Sequence, residues 1–256
     1  MNPDRYSTPN ICLSELRLVI GGAVQKKIFS WLGEEFIELS GEARPGTLIE
    51  EETVSLFRSF EQELKTHGLS LENTVRTRLW GRDREARNLG TAARSKILTG
   101  SAKAASSSYV STNRFDADAR VALDLLAARP SRMDAERRPV EFQPPRNYLC
   151  HLRQDSFVFL SGYTSLAETL ETQVSEIIKA VAGGLMVAGS MWDKLVKVSL
   201  FLHRSQKLEV LKELLGRGPA LPANCHVEFG FVDGYAGDKS QLEVEATALM
   251  SGNDRR

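Results

Sequence analysis

Leu221-Pro222-Ala223-Asn224-Cys225-His226-Val227-Glu228-Phe229 and Gln241-Leu242-Glu243-Val244-Glu245-Ala246-Thr247-Ala248-Leu249 decide the fold. Polar and apolar residues alternate in both runs, which predicts two strands, each with one face inward. Gly230, Gly234 and Gly237, with Asp233 and Asp238, supply the connection between them. The first strand carries Cys225 and His226, and the second carries Glu245. The reading therefore puts a thiol, an imidazole and a carboxylate on or beside neighbouring strands.

Working outward, the chain shows the same order of elements twice. Strand-like runs at Leu16–Ile20, Glu35–Gly41 and Thr74–Trp80 are joined by a helix over Glu50–His67 and followed by another over Asp83–Leu98. In the first helix Val54, Phe57, Phe60 and Leu64 recur at helical spacing, and Gly68 marks its stop. Strands at Ser107–Thr112 and Arg120–Ala127 follow. Arg129–Asn147, with Pro130, Pro139, Pro144 and Pro145 among charges, reads as a linker. Beyond it come a strand at Phe157–Gly162, a helix over Leu166–Ala188, a strand at Lys194–Leu202 and a short helix over Gln206–Leu215, before the opening stretch closes the unit.

Five landmarks share one offset. Ser40 and Ser161, Gly41 and Gly162, Val75 and Val196, Leu79 and Leu200, and Asp124 and Glu245 are each 121 residues apart. A constant offset is the signature of an internal repeat. The expected organisation is a first unit over 1–128, a linker over 129–147 and a second unit over 148–256. Each unit is α+β, a mixed sheet with two helices on one face.

Composition narrows the function. Lys+Arg and Asp+Glu balance at 33 each, so nothing draws the chain as a whole toward nucleic acid or anionic membrane. No apolar run approaches the roughly 20 residues that span a bilayer. The N-terminal Met1-Asn2-Pro3-Asp4-Arg5-Tyr6 lacks a basic-then-apolar signal, and Cys12, Cys150 and Cys225 do not make a disulfide framework, so a cytoplasmic location is expected.

The order of elements, together with Tyr148, Ser161-Gly162, Asp193-Lys194-Leu195-Val196-Lys197, Leu221-Pro222-Ala223 and Glu243-Val244-Glu245-Ala246, resembles the Rid family (YjgF, reactive intermediate deaminase). The resemblance spans nearly the whole chain, once per repeat, and is stronger in the second copy. It implies two tandem chorismate-mutase-like units. It also implies trimeric assembly, with small-molecule sites in clefts between units. The implied chemistry is cofactor-free hydrolysis of 2-enamines and 2-imines, with a glutamate at Glu245 handling water and an arginine after Pro-Ala clamping the substrate carboxylate. An old endoribonuclease label also attaches to such sequences.

This chain departs from that pattern at the arginine. Asn224 stands there in the second copy and Ser106 in the first. Asparagine lacks the charged fork that suits a carboxylate. The expectation is a substrate other than simple 2-imino acids. The first copy also has Lys27 at the tyrosine position and Asp124 at the glutamate position.

Glu245 and His226 are the candidate catalytic residues: a carboxyl of raised pKa acting on water, and an imidazole able to shuttle a proton near neutrality. Asn224, Cys225, Tyr148, Ser161, Gly162, Ser106 and Asp124 are the candidate binding residues. The plain alternatives are an edge-strand glutamate in solvent, a small buried thiol at Cys225, interface packing at Tyr148 and a purely structural first copy. Cys150-His151 beside Cys225-His226 invites zinc, but no Cys-x-x-Cys pair supports it, so no metal is expected. Three functions remain open. The leading one is a cofactor-free enzyme acting at a C=N or C–N carbon of a small molecule. The others are a non-catalytic sensor or partner-binding protein, and other water-addition or lyase chemistry as in chorismatase-like relatives. The expected partners are a small molecule and further copies of the chain, assembled as a trimer of tandem units.

Overall fold

Alternating stretches become strands because one face of each packs on helices. The computed structural model describes residues 24–46, 48–131, 135–144, 146 and 148–251. Cys12 and the strand expected at Leu16–Ile20 lie outside the described residues. The first unit holds β1 (Gln25–Trp31), β2 (Glu34–Glu42), α1 (Ile49–Lys65), β3 (Thr74–Gly81), α2 (Arg84–Ile97), β4 (Ala105–Val110) and β5 (Val121–Ala128). The second holds β6 (Arg137–Glu141), β7 (Leu149–Gln154), β8 (Phe157–Leu160), β9 (Tyr163–Thr164), α3 (Leu170–Val187), β10 (Leu195–His203), α4 (Leu208–Gly216), β11 (His226–Val232) and β12 (Leu242–Leu249).

The two sheets have the same plan. The first runs β4-β3-β5-β2-β1 and the second β11-β10-β12-β8-β7-β6, with β9 also on β12. In each, the strand after the second helix pairs in parallel with the strand before it (β3 with β4, β10 with β11), and the remaining pairs are antiparallel. Each sheet carries two helices, as the repeat predicts. Leu56, Phe57, Phe60 and Leu64 of α1, and Val174, Ile177, Val181 and Leu185 of α3, are buried against their sheets. The chain leaves α1 at Gly68 (φ +70°) and α3 at Gly189 (φ +74°), conformations glycine adopts without a Cβ penalty.

Alternation then decides what the opposite sheet faces meet. On β12, Leu242, Val244, Ala246 and Ala248 join the helix-side core, as Val121, Leu123, Leu125 and Ala127 do on β5. The remaining residues of these strands look toward the other unit, so the two sheets lie face to face with helices outside. Phe36 meets Phe157 and Phe159 across this seam at ring distances of 5.5 and 6.4 Å. Trp80, Tyr109, Phe201 and Tyr235 form a second cross-unit cluster. The open face that a lone unit would expose is thus covered, in good part, within one chain. Among the described residues no helix is long and apolar enough to cross a membrane.

Three expectations change. The stretch taken as a linker contains β6, paired with β7 at the sheet edge, where Pro139 is tolerated because an edge strand has backbone groups with no ladder partner. The strand expected from Leu221 begins only at His226, because Cys225 N–H bonds back to Pro222 O in a turn (3.0 Å). β11 and β12 are not neighbours, since β10 lies between them.

Candidate functional site

β12 directs Glu243, Glu245 and Thr247 into the seam between sheets, and β3 directs Arg76 and Arg78 at them from the other side. Arg76 Nη1 donates to Glu245 Oε2 at 2.8 Å, and Arg78 Nε donates to Oε2 and Oε1 at 3.0 and 3.1 Å. Ser107 Oγ and Tyr109 OH donate to Oε1 at 2.5 and 3.0 Å. Arg78 also reaches Ser199 and Glu228, and Lys197 Nζ lies 3.1 Å from Glu228. Burial raises the Glu245 pKa, but Arg78 and then Arg76 outweigh it and pull it down to about 2. The expectation of a raised pKa at Glu245 is therefore reversed. Its carboxylate is ionised, 1% exposed and saturated with donors.

The neighbouring carboxyl behaves the other way. Glu243 is buried, and burial followed by the charge on Glu245 pushes its pKa up to about 8. It packs against Gly162 so closely that a Cβ there would lie 1.9 Å from Glu243 Oε1. This is why glycine follows Ser161. Gly162 N–H donates to Ser106 O at 3.2 Å, and Ser106 N–H donates to Ser161 Oγ at 3.1 Å. Ser161, Gly162 and Ser106 are thus brought together, one hydrogen-bonded layer from Glu243.

Two clefts divide the remaining candidates. One, of about 300 Å³, is lined by Ser106, Tyr148, Arg94, Lys103, Glu141 and Arg146 among others. Arg146 Nη1 donates to Tyr148 OH at 2.8 Å, and Lys103 pairs with Glu141. Arg94 holds Ser107 O and Ser108 Oγ at 2.6 and 2.8 Å, and burial followed by Arg87 lowers its pKa to about 10. The other cleft, of about 390 Å³, is lined by Glu245, His226, Asn224 and Asp124, together with Arg76, Arg78, Lys27 and Lys197. Phe29, Trp31 and Leu126 give it apolar wall. Asp124 is itself held by Ser40 Oγ, Trp80 Nε1 and Arg114 Nη2 at 2.6, 2.7 and 2.7 Å.

Cys225 belongs to neither cleft. It faces the helix side, packed beside the second unit's core, where burial raises its pKa to about 11 and keeps it a thiol. The missing arginine after Pro-Ala does not leave the clefts without cations, and the strand register puts Lys103, not Ser106, at the first copy's counterpart of Asn224. Arginines reach the clefts from β3, α2 and the approach to β7 rather than from the position after Pro-Ala. The readable signal was Arg76 and Arg78 at alternate positions of a strand otherwise flanked by Val75, Leu79 and Trp80. Such a stripe on a buried strand requires counter-charges, and Glu243-Val244-Glu245 has carboxylates at the same spacing.

The fold is that of two tandem Rid-like units, as in chorismatase. A crystal structure of a chorismatase aligns with a TM-score of 0.62 at 13% identity, covering 87% of this chain and 79% of that one. A YjgF-family protein from Neisseria meningitidis aligns at 18% identity over 45% of this chain and 96% of its own, with a TM-score of 0.38. A Rid-family protein from Yersinia pestis does so at 16% over 45% and 100%, also with a TM-score of 0.38. At such identities the likeness is one of fold. No protein-family model matches the chain, and no curated protein matches it.

Proposed function

We propose that this chain is a cofactor-free enzyme that adds water at a C=N or C–N carbon of a small anionic molecule, bound in the cleft of Ser106, Tyr148, Arg94 and Arg146. The observation that carries this reading is this cationic cleft backed by Glu243: behind its Ser161-Gly162-Ser106 wall lies a buried carboxyl whose pKa, raised to about 8, leaves it protonated at neutral pH. A carboxyl tuned toward the working pH suits general acid–base catalysis. Glu243 would act through a hydroxyl or bridging water of this wall: its proton reaches the nitrogen as water adds to the carbon, and the proton that the water sheds restores the acid. A second such exchange carries the proton of the added hydroxyl to the nitrogen as the C–N bond breaks, leaving a carbonyl and an amine. With Lys103 occupied by Glu141, Arg94 and Arg146 give the cleft a net positive lining, which favours a substrate bearing a carboxylate.

The test is amine release and carbonyl formation from a panel of imine and enamine carboxylates. Glu243→Gln should lower kcat by about 10²–10⁴-fold with ligand affinity kept, and Arg146→Ala should raise KM. Undiminished turnover in Glu243→Gln sinks the proposal.

A second reading assigns the larger cleft to ligand sensing without turnover. Its support is that Glu245, at a pKa of about 2, has little basicity, while Asn224 and His226 offer polar binding groups beside apolar wall. Under this reading Asn224→Ala and His226→Ala abolish ligand binding in calorimetry, while Glu243→Gln leaves it unchanged.

A further inference from the structure

The two copies fill their helix–sheet layers differently. In the first unit, Phe57 and Phe60 of α1 project into this layer and are buried completely. The residues 121 positions later on α3 are Ile178 and Val181. The helix that shares the layer is also shorter, since α2 has 14 residues and α4 only 9. Where the first copy has two phenyl rings and further helix, the second has a hollow of about 620 Å³ between α3, the sheet and residues 215–225.

No charged side chain lines this hollow. Among its polar groups, the Trp192 indole N–H is already given to Ala220 O at 3.0 Å, and the Cys225 thiol is a weak partner. Its walls are aliphatic or aromatic: Val198 and Leu200 of β10, Val244 of β12 and Phe229 of β11. The space lies inside the layer, between α3 and the strands it packs on, and has the size of small-molecule sites in general.

We propose that this hollow is a binding site for an uncharged apolar small molecule, an aromatic or aliphatic compound that occupies the place of the first copy's two phenyl side chains. It is a separate site from the clefts of the inter-sheet seam, on the opposite face of the second sheet. The absence of charge excludes the anionic molecule proposed for the seam, because burying an unpaired carboxylate there is strongly unfavourable.

The test uses the neutral dye N-phenyl-1-naphthylamine with the full chain. The expected result is a saturable rise in dye emission, lost in Ile178→Phe/Val181→Phe, which copies the first unit's own filling and should raise Tm. A second arm needs no variant. Alkylation of Cys225 by N-ethylmaleimide, located by peptide mass, should be suppressed by bound dye. Emission that is absent, does not saturate or persists in the correctly folded double variant overturns the proposal. So does unaltered Cys225 alkylation, or a concentration-dependent dimer whose formation excludes the dye.

Discussion

Arg76 and Glu245 lie 169 residues apart in the chain and 2.8 Å apart in space, joining the two sheets through a contact with almost no exposure to solvent. Removing one partner from such a pair leaves the other charge buried and uncompensated. Glu245→Gln strands Arg76 and leaves Arg78 with Glu228 as its remaining carboxylate, so urea denaturation should show a loss of about 3–5 kcal/mol. A loss no larger than a surface substitution gives would show that the cluster is not what ties the units together.

The same carboxylate sets an acid limit. Its pKa falls from 4.5 to about 2 on folding, so its contribution is complete above the unfolded value and is lost as pH drops through the folded one. Stability measured from pH 5 down to pH 2 should decline steeply, and the Glu245→Gln variant should lack this part of the slope.

Glu243 has the opposite sign. Its pKa rises from 4.5 to about 8, so the folded state holds a proton that the unfolded chain gives up. That stability is present below 4.5 and is withdrawn as pH climbs through about 8. Glu243→Gln should therefore gain on the parent chain between pH 5 and 8, with the gap widening as pH rises. Parallel curves would place the carboxyl in a wetter setting.

Gly162→Ala would drive a methyl group into Glu243 Oε1. Overpacking of this kind costs about 1–3 kcal/mol. Shortening the opposing side chain should relieve it, so the Gly162→Ala/Glu243→Ala pair should show a favourable coupling energy in a double-mutant cycle. Additive effects would separate the two residues.

The aromatic seam should make the units unfold as one cooperative body. Phe157 is buried against Trp31, Phe36 and Phe159. Phe157→Ala should cost about 3–5 kcal/mol and lower a single calorimetric transition. Splitting into two transitions would show that the units fold apart.

The fold was legible because the repeat imposed itself on spacing. Ser40-Gly41 and Ser161-Gly162 gave the offset, and alternation around Leu242, Val244, Ala246 and Ala248 gave the buried face. The helix stop at Gly68 was visible as well. The site was legible only in part. Asp124, Asn224, His226 and Glu245 do gather in one cleft, and Tyr148 with Ser106 in another. The expected acidity was reversed at Glu245, which stands two positions from an identical residue, Glu243, on one strand face. Their acidities diverge because Arg76 and Arg78 pair with the second, while burial and the charge on Glu245 outweigh Tyr109, Arg87 and Arg94 at the first, and a pairing across the whole chain leaves no trace in local pattern. Cys225, read as a binding candidate, takes instead the alternative of a small buried thiol, on the face opposite His226.

Each cleft of the seam borrows one wall from the first copy and one from the second. In a ring of identical subunits, every substitution would be stamped on all the sites at once. Joining the copies in one polypeptide lifts that constraint, so counterparts such as Lys27 and Tyr148, or Lys103 and Asn224, need not be alike. The linked architecture lets neighbouring chambers carry different linings, as these two do.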